Sequence, residues 1–218
     1  NLLKRAYNKQ MLKADEIIAI SKFTQSVIER QFPKLLPNLS LNVIHRGVDT
    51  SVFNPINVTQ QRIINEAERI GLPADVPVVM LPARPSSWKG HLILLRALAR
   101  LEHLQVAIVL LGAGDFNTGY AEMLEKASVE LGLGANVRIT TSSRDMPAAL
   151  MLADVVVMPS IHPEPFGRIA IEAQAMGRPV IAFDHGGARE TILEGKTGWL
   201  AKPNDIDSLS ANLKTALS

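Results

Sequence analysis

With 218 residues, 47% of them hydrophobic, the chain can bury a core large enough for one substantial domain, or for one domain and part of a second. A formal net charge of +2 with no Lys/Arg block gives no ground for a nucleic-acid partner, and the lack of any cysteine excludes disulfides and thiolate-bound metals. No apolar run approaches the ~18 residues of a spanning helix and no signal peptide opens the chain, which starts at Asn1 within a helical pattern, so a soluble piece of a longer protein is expected.

In chain order, the opening helical stretch runs into a strand, "DEIIAIS" (15–21). The helix "KFTQSVIERQF" follows, and then a second strand, "LNVIH" (41–45). The polar "NPINVTQ" (54–60) sets these residues apart, and they are expected to form their own small sheet with edges open to a second copy. From there strands alternate with helices. "VPVVMLPAR" (76–84) precedes "HLILLRALARL" (91–101), and "QVAIVLLGAG" (105–114) precedes the helix at 120–132. "NVRIT" (136–140), 146–153, "DVVVMPS" (154–160), "RPVIAFD" (178–184), 188–195, "GWLAK" (198–202) and the helix at 207–217 complete the alternation. Strands that are apolar throughout are expected where helices cover both faces, so the fold class is α/β with a doubly wound, mainly parallel, Rossmann-like sheet.

Ligands of such sheets sit beyond the carboxyl ends of the strands. After the strand at 78–83 come Arg84 and Lys89, a guanidinium fork and a flexible ammonium beside a helix start, which suit phosphate oxygens but equally suit a solvated loop. After 105–111 come Gly112 and Gly114, which allow close backbone approach without the spacing of a dinucleotide fingerprint. After 154–159 comes "SIHPEPFGRIAIEAQAMG", with Glu164 at a helix mouth and Glu172 one turn inside a helix that is otherwise apolar or small, stopped by Gly177. A buried carboxylate needs donors, and either ligand hydroxyls or a neighbouring Arg could supply them. Asp205-Ile206-Asp207 forms a D-x-D, but its place at a helix start reads as capping. The five histidines, of which His162 alone falls near the cleft, show no ligand spacing, so no metal site is expected.

Together these positions resemble the donor half of the group 1 retaining glycosyltransferases of GT-B fold. Glu164-Pro165-Phe166-Gly167 through Glu172 matches that family's Glu, seven residues, Glu signature. Arg84 to Gly90 is similar to its Arg…Lys-Gly turn, "VLLGAGD" to its G-x-G strand end, and "ADVVVMPS" to its A-D-V-x-V-x-P-S. "GGARETILEGKTGWLAKPND" resembles its G-G-x-x-E…G-x-T-G-x-L segment, and "VIHRGVDTSVFNP" (43–55) its crossing between domains.

The resemblance implies a remnant of the acceptor domain with the interdomain crossing at 1–50, and a nucleotide-sugar donor-binding domain at 51–218. It implies that Arg84 and Lys89 bind the donor diphosphate and that Glu164 holds hydroxyls of the transferred sugar beside Phe166 and Gly167. The amides of Arg168 and Ile169 would face the phosphates, Glu172 would accept from the ribose, and Gly112, Arg138 and Thr141 would lie around the nucleoside. It further implies no cofactor and no metal. The donor would be a UDP-, GDP- or ADP-linked sugar, and the acceptor a sugar or lipid bound by the missing domain. A cytoplasmic location, at the inner face of a membrane for a lipid acceptor, and a role in cell-envelope polysaccharide synthesis would follow. His45-Arg46, Arg168 and Thr141 depart from the family's usual residues. A nucleotide-sugar epimerase of the same fold and a non-catalytic nucleotide-sugar sensor remain as rival readings.

Overall fold

The computed structural model describes residues 2–34, 40–101, 105–115 and 118–218. The first helix α1 (Leu2–Met11) leads to β1 (Ile17–Ala19), α2 (Lys22–Gln31) and β2 (Leu41–Val43). β1 and β2 pair in parallel, Ile17 opposite Leu41, as a two-stranded sheet separate from the main one.

The polar separator at 54–60 leads directly into a helix not anticipated from the sequence, α3 (Gln60–Ile70). Its signals are local. The Thr59 hydroxyl accepts from Arg62 N–H at its start, and Gly71 ends it at φ 72°, where glycine carries no Cβ penalty.

The remaining elements are β3 (Val78–Pro82), α4 (His91–Leu98), β4 (Ala107–Leu111), α5 (Thr118–Glu130), β5 (Val137–Thr140), α6 (Met146–Met151) and β6 (Val155–Met158). They continue with α7 (Arg168–Ala175), β7 (Val180–Phe183), α8 (Ala188–Thr191), β8 (Gly198–Ala201) and α9 (Ile206–Ala216). Helix α8 is shorter than its sequence suggests, because Ile192 is already extended and the Lys196 and Thr197 amides turn back onto the Leu193 carbonyl. Asp205 caps α9 by accepting from Ser208 N–H at 2.9 Å, and Asp207 pairs with Arg100.

Six parallel strands stand in the order β5-β4-β3-β6-β7-β8. Alternate residues of one strand enter opposite layers of the core, as the period-2 side-chain direction requires. Val79 and Leu81 pack with Leu94, Leu98, Leu209 and Leu213 of α4 and α9. Val78 and Met80 pack with Leu150, Ala170 and Ala173 of α6 and α7. Both faces are covered, which is why β3, β4, β6 and β7 are apolar throughout. The chain winds outward from β3 through β4 to β5, then returns to β6 and winds outward through β7 to β8. The connections after β3 and β6 therefore part on either side of a seam, where open α/β sheets have their crevice.

Candidate functional site

Lys89 closes a 3-10 turn (Ser87–Lys89) after β3, and Gly90 starts α4 at φ 81°. A Cβ on Gly90 would lie 1.9 Å from the Pro159 carbonyl oxygen, so only glycine lets the loops after β3 and β6 meet there. Ile161 N–H donates to the Trp88 carbonyl at 2.7 Å and ties the two loops together. Lys89 Nζ then reaches Glu164 Oε1 at 2.6 Å, and the Ser160 hydroxyl donates to the same oxygen at 2.5 Å. Both charged side chains are largely sheltered, 19% and 14% exposed, so the contact is a charge-assisted hydrogen bond of the stronger kind. The ammonium also lies 4.1 Å from the centre of the Trp88 ring.

The backbone of Glu164 is held from the neighbouring turn. Its carbonyl accepts from Gly187 N–H at 2.8 Å. A Cβ on Gly186 would come within 2.5 Å of that carbonyl oxygen, and one on Gly187 within 2.4 Å of Phe166 Cα. The glycine pair after β7 is thus a bed on which residues 164–166 lie, with Phe166 buried. Gly167, at φ 84°, turns the chain into α7, whose start has no side-chain cap.

Arg168 and Glu172 form an i,i+4 pair at 2.8 Å, with Glu172 sheltered at 12% exposure and Arg168 open at 64%. Of the two donors the sequence allows for Glu172, the structure provides the neighbouring Arg. Ile169 packs on the α6–α7 side of the core. Arg84 is exposed and has no partner among the described residues. It lines a cavity of about 310 Å³ with Pro85, Ser86, Trp88 and Lys89.

Gly112, at φ 87°, would bring a Cβ 3.1 Å from the Ala83 carbonyl oxygen, so its freedom serves the approach of the loops after β3 and β4. Thr141 follows β5 on the same side of the sheet, and Arg69 reaches both Thr140 and Thr141. The structure does not bring Arg138 to these loops. Its guanidinium, near the amino end of β5, donates to the carbonyls of Gly71 and Ala135 at 2.9 Å each. A larger cavity of about 800 Å³ lies at the opposite end of the strands, lined in part by Pro77, Arg100 and Lys214.

Two residues without a role in the sequence reading, Ser21 and Glu190, join the N-terminal segment to the cluster. The wholly buried Ser21 donates its hydroxyl to the Pro165 carbonyl at 2.5 Å. Glu190, from "GGARE", accepts from the Lys22 and Phe23 amides and from His45 Nε2, each at 2.8 Å. Burial opposes ionisation of Glu190, but the His45 ring and the two amides outweigh it and hold the carboxyl below the usual range. "G-G-x-x-E" marked Glu190 in the sequence; its partners, far away in the chain, were not visible there.

The family described as Glycosyl transferases group 1 matches residues 63–218. The chain belongs to this family. A GDP-mannose-dependent alpha-(1-6)-phosphatidylinositol monomannoside mannosyltransferase of Mycolicibacterium smegmatis is 33% identical over 207 residues, 90% of this chain and 51% of that protein. A glycosyltransferase of Rickettsia africae superposes with a TM-score of 0.88 at 31% identity, covering 99% of this chain and 56% of that one. An Anabaena protein solved with UDP-glucose superposes at 0.79 and 30% identity, covering 94% and 54%. This group 1 glycosyl transferase chain therefore spans about half the length of the relatives it matches. Its six-stranded sheet is the Rossmann-like sheet of the C-terminal domain in GT-B glycosyltransferases.

Proposed function

We propose that the chain is the donor-binding part of a retaining glycosyltransferase that takes a sugar from a UDP-, GDP- or ADP-linked donor. The observation that carries the proposal is the convergence of Lys89 and Ser160 on Glu164 at the seam between β3 and β6. The relatives supply the chemical context, since one is named for GDP-mannose and another was solved with UDP-glucose.

Arg84 and Lys89 take the diphosphate, and Glu164 accepts from hydroxyls of the transferred sugar, with Phe166 and Gly167 beside it. The free amides of Arg168 and Ile169, at the positive end of α7, face phosphate oxygens. Glu172 accepts from the ribose, and Gly112 and Thr141 border the nucleoside. As the bond between the anomeric carbon and the diphosphate oxygen breaks, its electron pair stays with the diphosphate, where Lys89, held by Glu164, and the open Arg84 stabilise the new charge. Glu164 Oε1 already accepts from Lys89 and Ser160, which suits it to orient the sugar rather than attack it.

The acceptor, a sugar or lipid, is bound by residues outside this chain, and residues 1–50 belong to that acceptor-binding domain and its crossing. These 218 residues alone bind donor and transfer nothing. Their small sheet can pair with a second copy. The whole protein works in the cytoplasm, at the inner membrane face for a lipid acceptor, in building cell-envelope glycans.

Calorimetric titration with UDP, GDP and ADP tests the proposal. Binding of one nucleotide is expected, weakened by ~1–3 kcal/mol in Glu172→Ala and in Arg84→Ala/Lys89→Ala, the usual loss for hydrogen bonds to charged groups. No binding of any nucleotide by a chain with intact circular dichroism would overturn it.

A further inference from the structure

The first turn of α2 is capped twice. Ser21, its own N-cap, accepts from Thr24 N–H at 2.9 Å, which is the ordinary arrangement. The two preceding amides, Lys22 and Phe23, donate to separate oxygens of Glu190, which lies 168 and 167 residues further along the chain. A carboxylate at a helix N-terminus also meets the positive end of the helix dipole. His45 Nε2–H adds a third contact from the strand side, so the N-terminal segment is fastened at two points to α8, which follows the glycine turn after β7.

That fastening bears on the candidate site through two carbonyls. Pro165 O receives the Ser21 hydroxyl at 2.5 Å and, more weakly, that of Thr24 at 3.4 Å. Glu164 O receives Gly187 N–H at 2.8 Å. Gly187 is three residues before Glu190, and Ser21 is one residue before Lys22. The peptide that carries the Glu164 side chain is therefore gripped from both sides, and Glu190 sets the distance between the two grips.

We propose that Glu190 is a positioning residue for the donor sugar: it locks the α2 N-terminus to α8 directly behind the glycine turn, so that Ser21 and Gly187 together fix the backbone from which Glu164 reaches the sugar. The inference rests on the donor-site reading above. A helix cap that only stabilised the fold would affect every ligand alike. A lock on the Glu164 backbone affects the sugar and leaves the nucleotide, which Arg84, Lys89 and Glu172 hold, almost untouched.

The test is calorimetric titration of the whole chain with UDP, GDP and ADP and with the glucose and mannose conjugates of whichever nucleotide binds. Wild type is compared with Glu190→Ala, Glu190→Gln and Ser21→Ala. Nucleotide affinity is expected to stay within about twofold throughout, while nucleotide-sugar affinity falls about tenfold in Glu190→Ala and Ser21→Ala. Glu190→Gln, which keeps one acceptor for the two amides, should recover part of the loss. Should Glu190→Ala not fold, Ser21→Ala, which removes a single hydroxyl, carries the comparison. Equal weakening of nucleotide and nucleotide sugar, no change in either, or a wild type that binds both equally would overturn the inference alone. A wild type that binds no nucleotide would overturn the donor-site reading, and the inference with it.

Discussion

Acid should loosen this protein through His91. The ring is wholly buried at the start of α4, directly beneath the turn that carries Arg84 and Lys89. Its Nδ1 shares a hydrogen bond with the Tyr120 hydroxyl at 3.2 Å, and its Nε2 has no partner among the described residues. Burial is the main influence and pushes the imidazole down from 6.5 to about 4; the carbonyls of Ala83 and Ser86 oppose the shift, and Lys89 adds to it. Between those two values the unfolded chain binds a proton that the folded chain refuses, so stability is complete above about pH 6.5 and is lost as pH falls toward 4. The difference between 6.5 and about 4, at about 1.4 kcal/mol for each tenfold change in affinity for the proton, makes about 3.5 kcal/mol in full, of which about 3 kcal/mol is lost by pH 4. Urea unfolding at a series of pH values between about 7.5 and 4 reads this directly. The comparison is His91→Leu/Tyr120→Phe, which removes both partners and leaves no orphaned hydroxyl. The variant should lose about 3 kcal/mol less than wild type over that range, because the carboxylates titrate alike in both. Parallel pH profiles would refute the reasoning.

Other expectations follow from the same contacts. Arg168→Leu should cost about 1 kcal/mol in thermal unfolding, the low end for stranding a sheltered acceptor, since Glu172 loses its donor while Arg168 itself lies in solvent. Ser160→Ala should weaken binding of a nucleotide sugar by ~1–3 kcal/mol while leaving the bare nucleotide unaffected, as titration of both ligands would show. Gly90→Ala drives a Cβ into the Pro159 carbonyl and should cost several kcal/mol in urea unfolding. Gly71→Ala meets open space at a similar φ and should cost only about 1 kcal/mol, which makes it the control.

The βα alternation was legible because each central strand is buried on both faces and must be apolar throughout. Helix α3 was overlooked although its cap, its stop and its spaced Ile63, Ala67 and Ile70 are all present, because the reading passed from the polar separator at 54–60 straight to the apolar strand that begins at 76. Arg84, Lys89, Glu164 and Glu172 were legible as ends of strands and mouths of helices. What holds them was not. Ser160 and Lys89 meet on Glu164 only once two loops 75 residues apart are folded together, and Ser21 reaches Pro165 across 144 residues. The choice of Arg168 as the partner of Glu172 was visible as an i,i+4 spacing, but spacing could not say whether a ligand would take its place. The resemblance alone placed Arg138 near the nucleoside, whereas its guanidinium donates to the Gly71 and Ala135 carbonyls.

The seam between β3 and β6 has a further implication for how such a sheet can diversify. The loops that hold Lys89 and Glu164 grow from the two innermost strands, each braced on both sides and from above and below. Strands β5 and β8, by contrast, each have a single neighbour within the sheet. Under the proposed donor site, substitutions near the rim, such as those around Thr141, would reshape the edge of the cleft without disturbing the geometry at its centre. The sheet thus separates a centre braced on both sides from a rim held on one side only, so that its edge can vary at less cost than its middle.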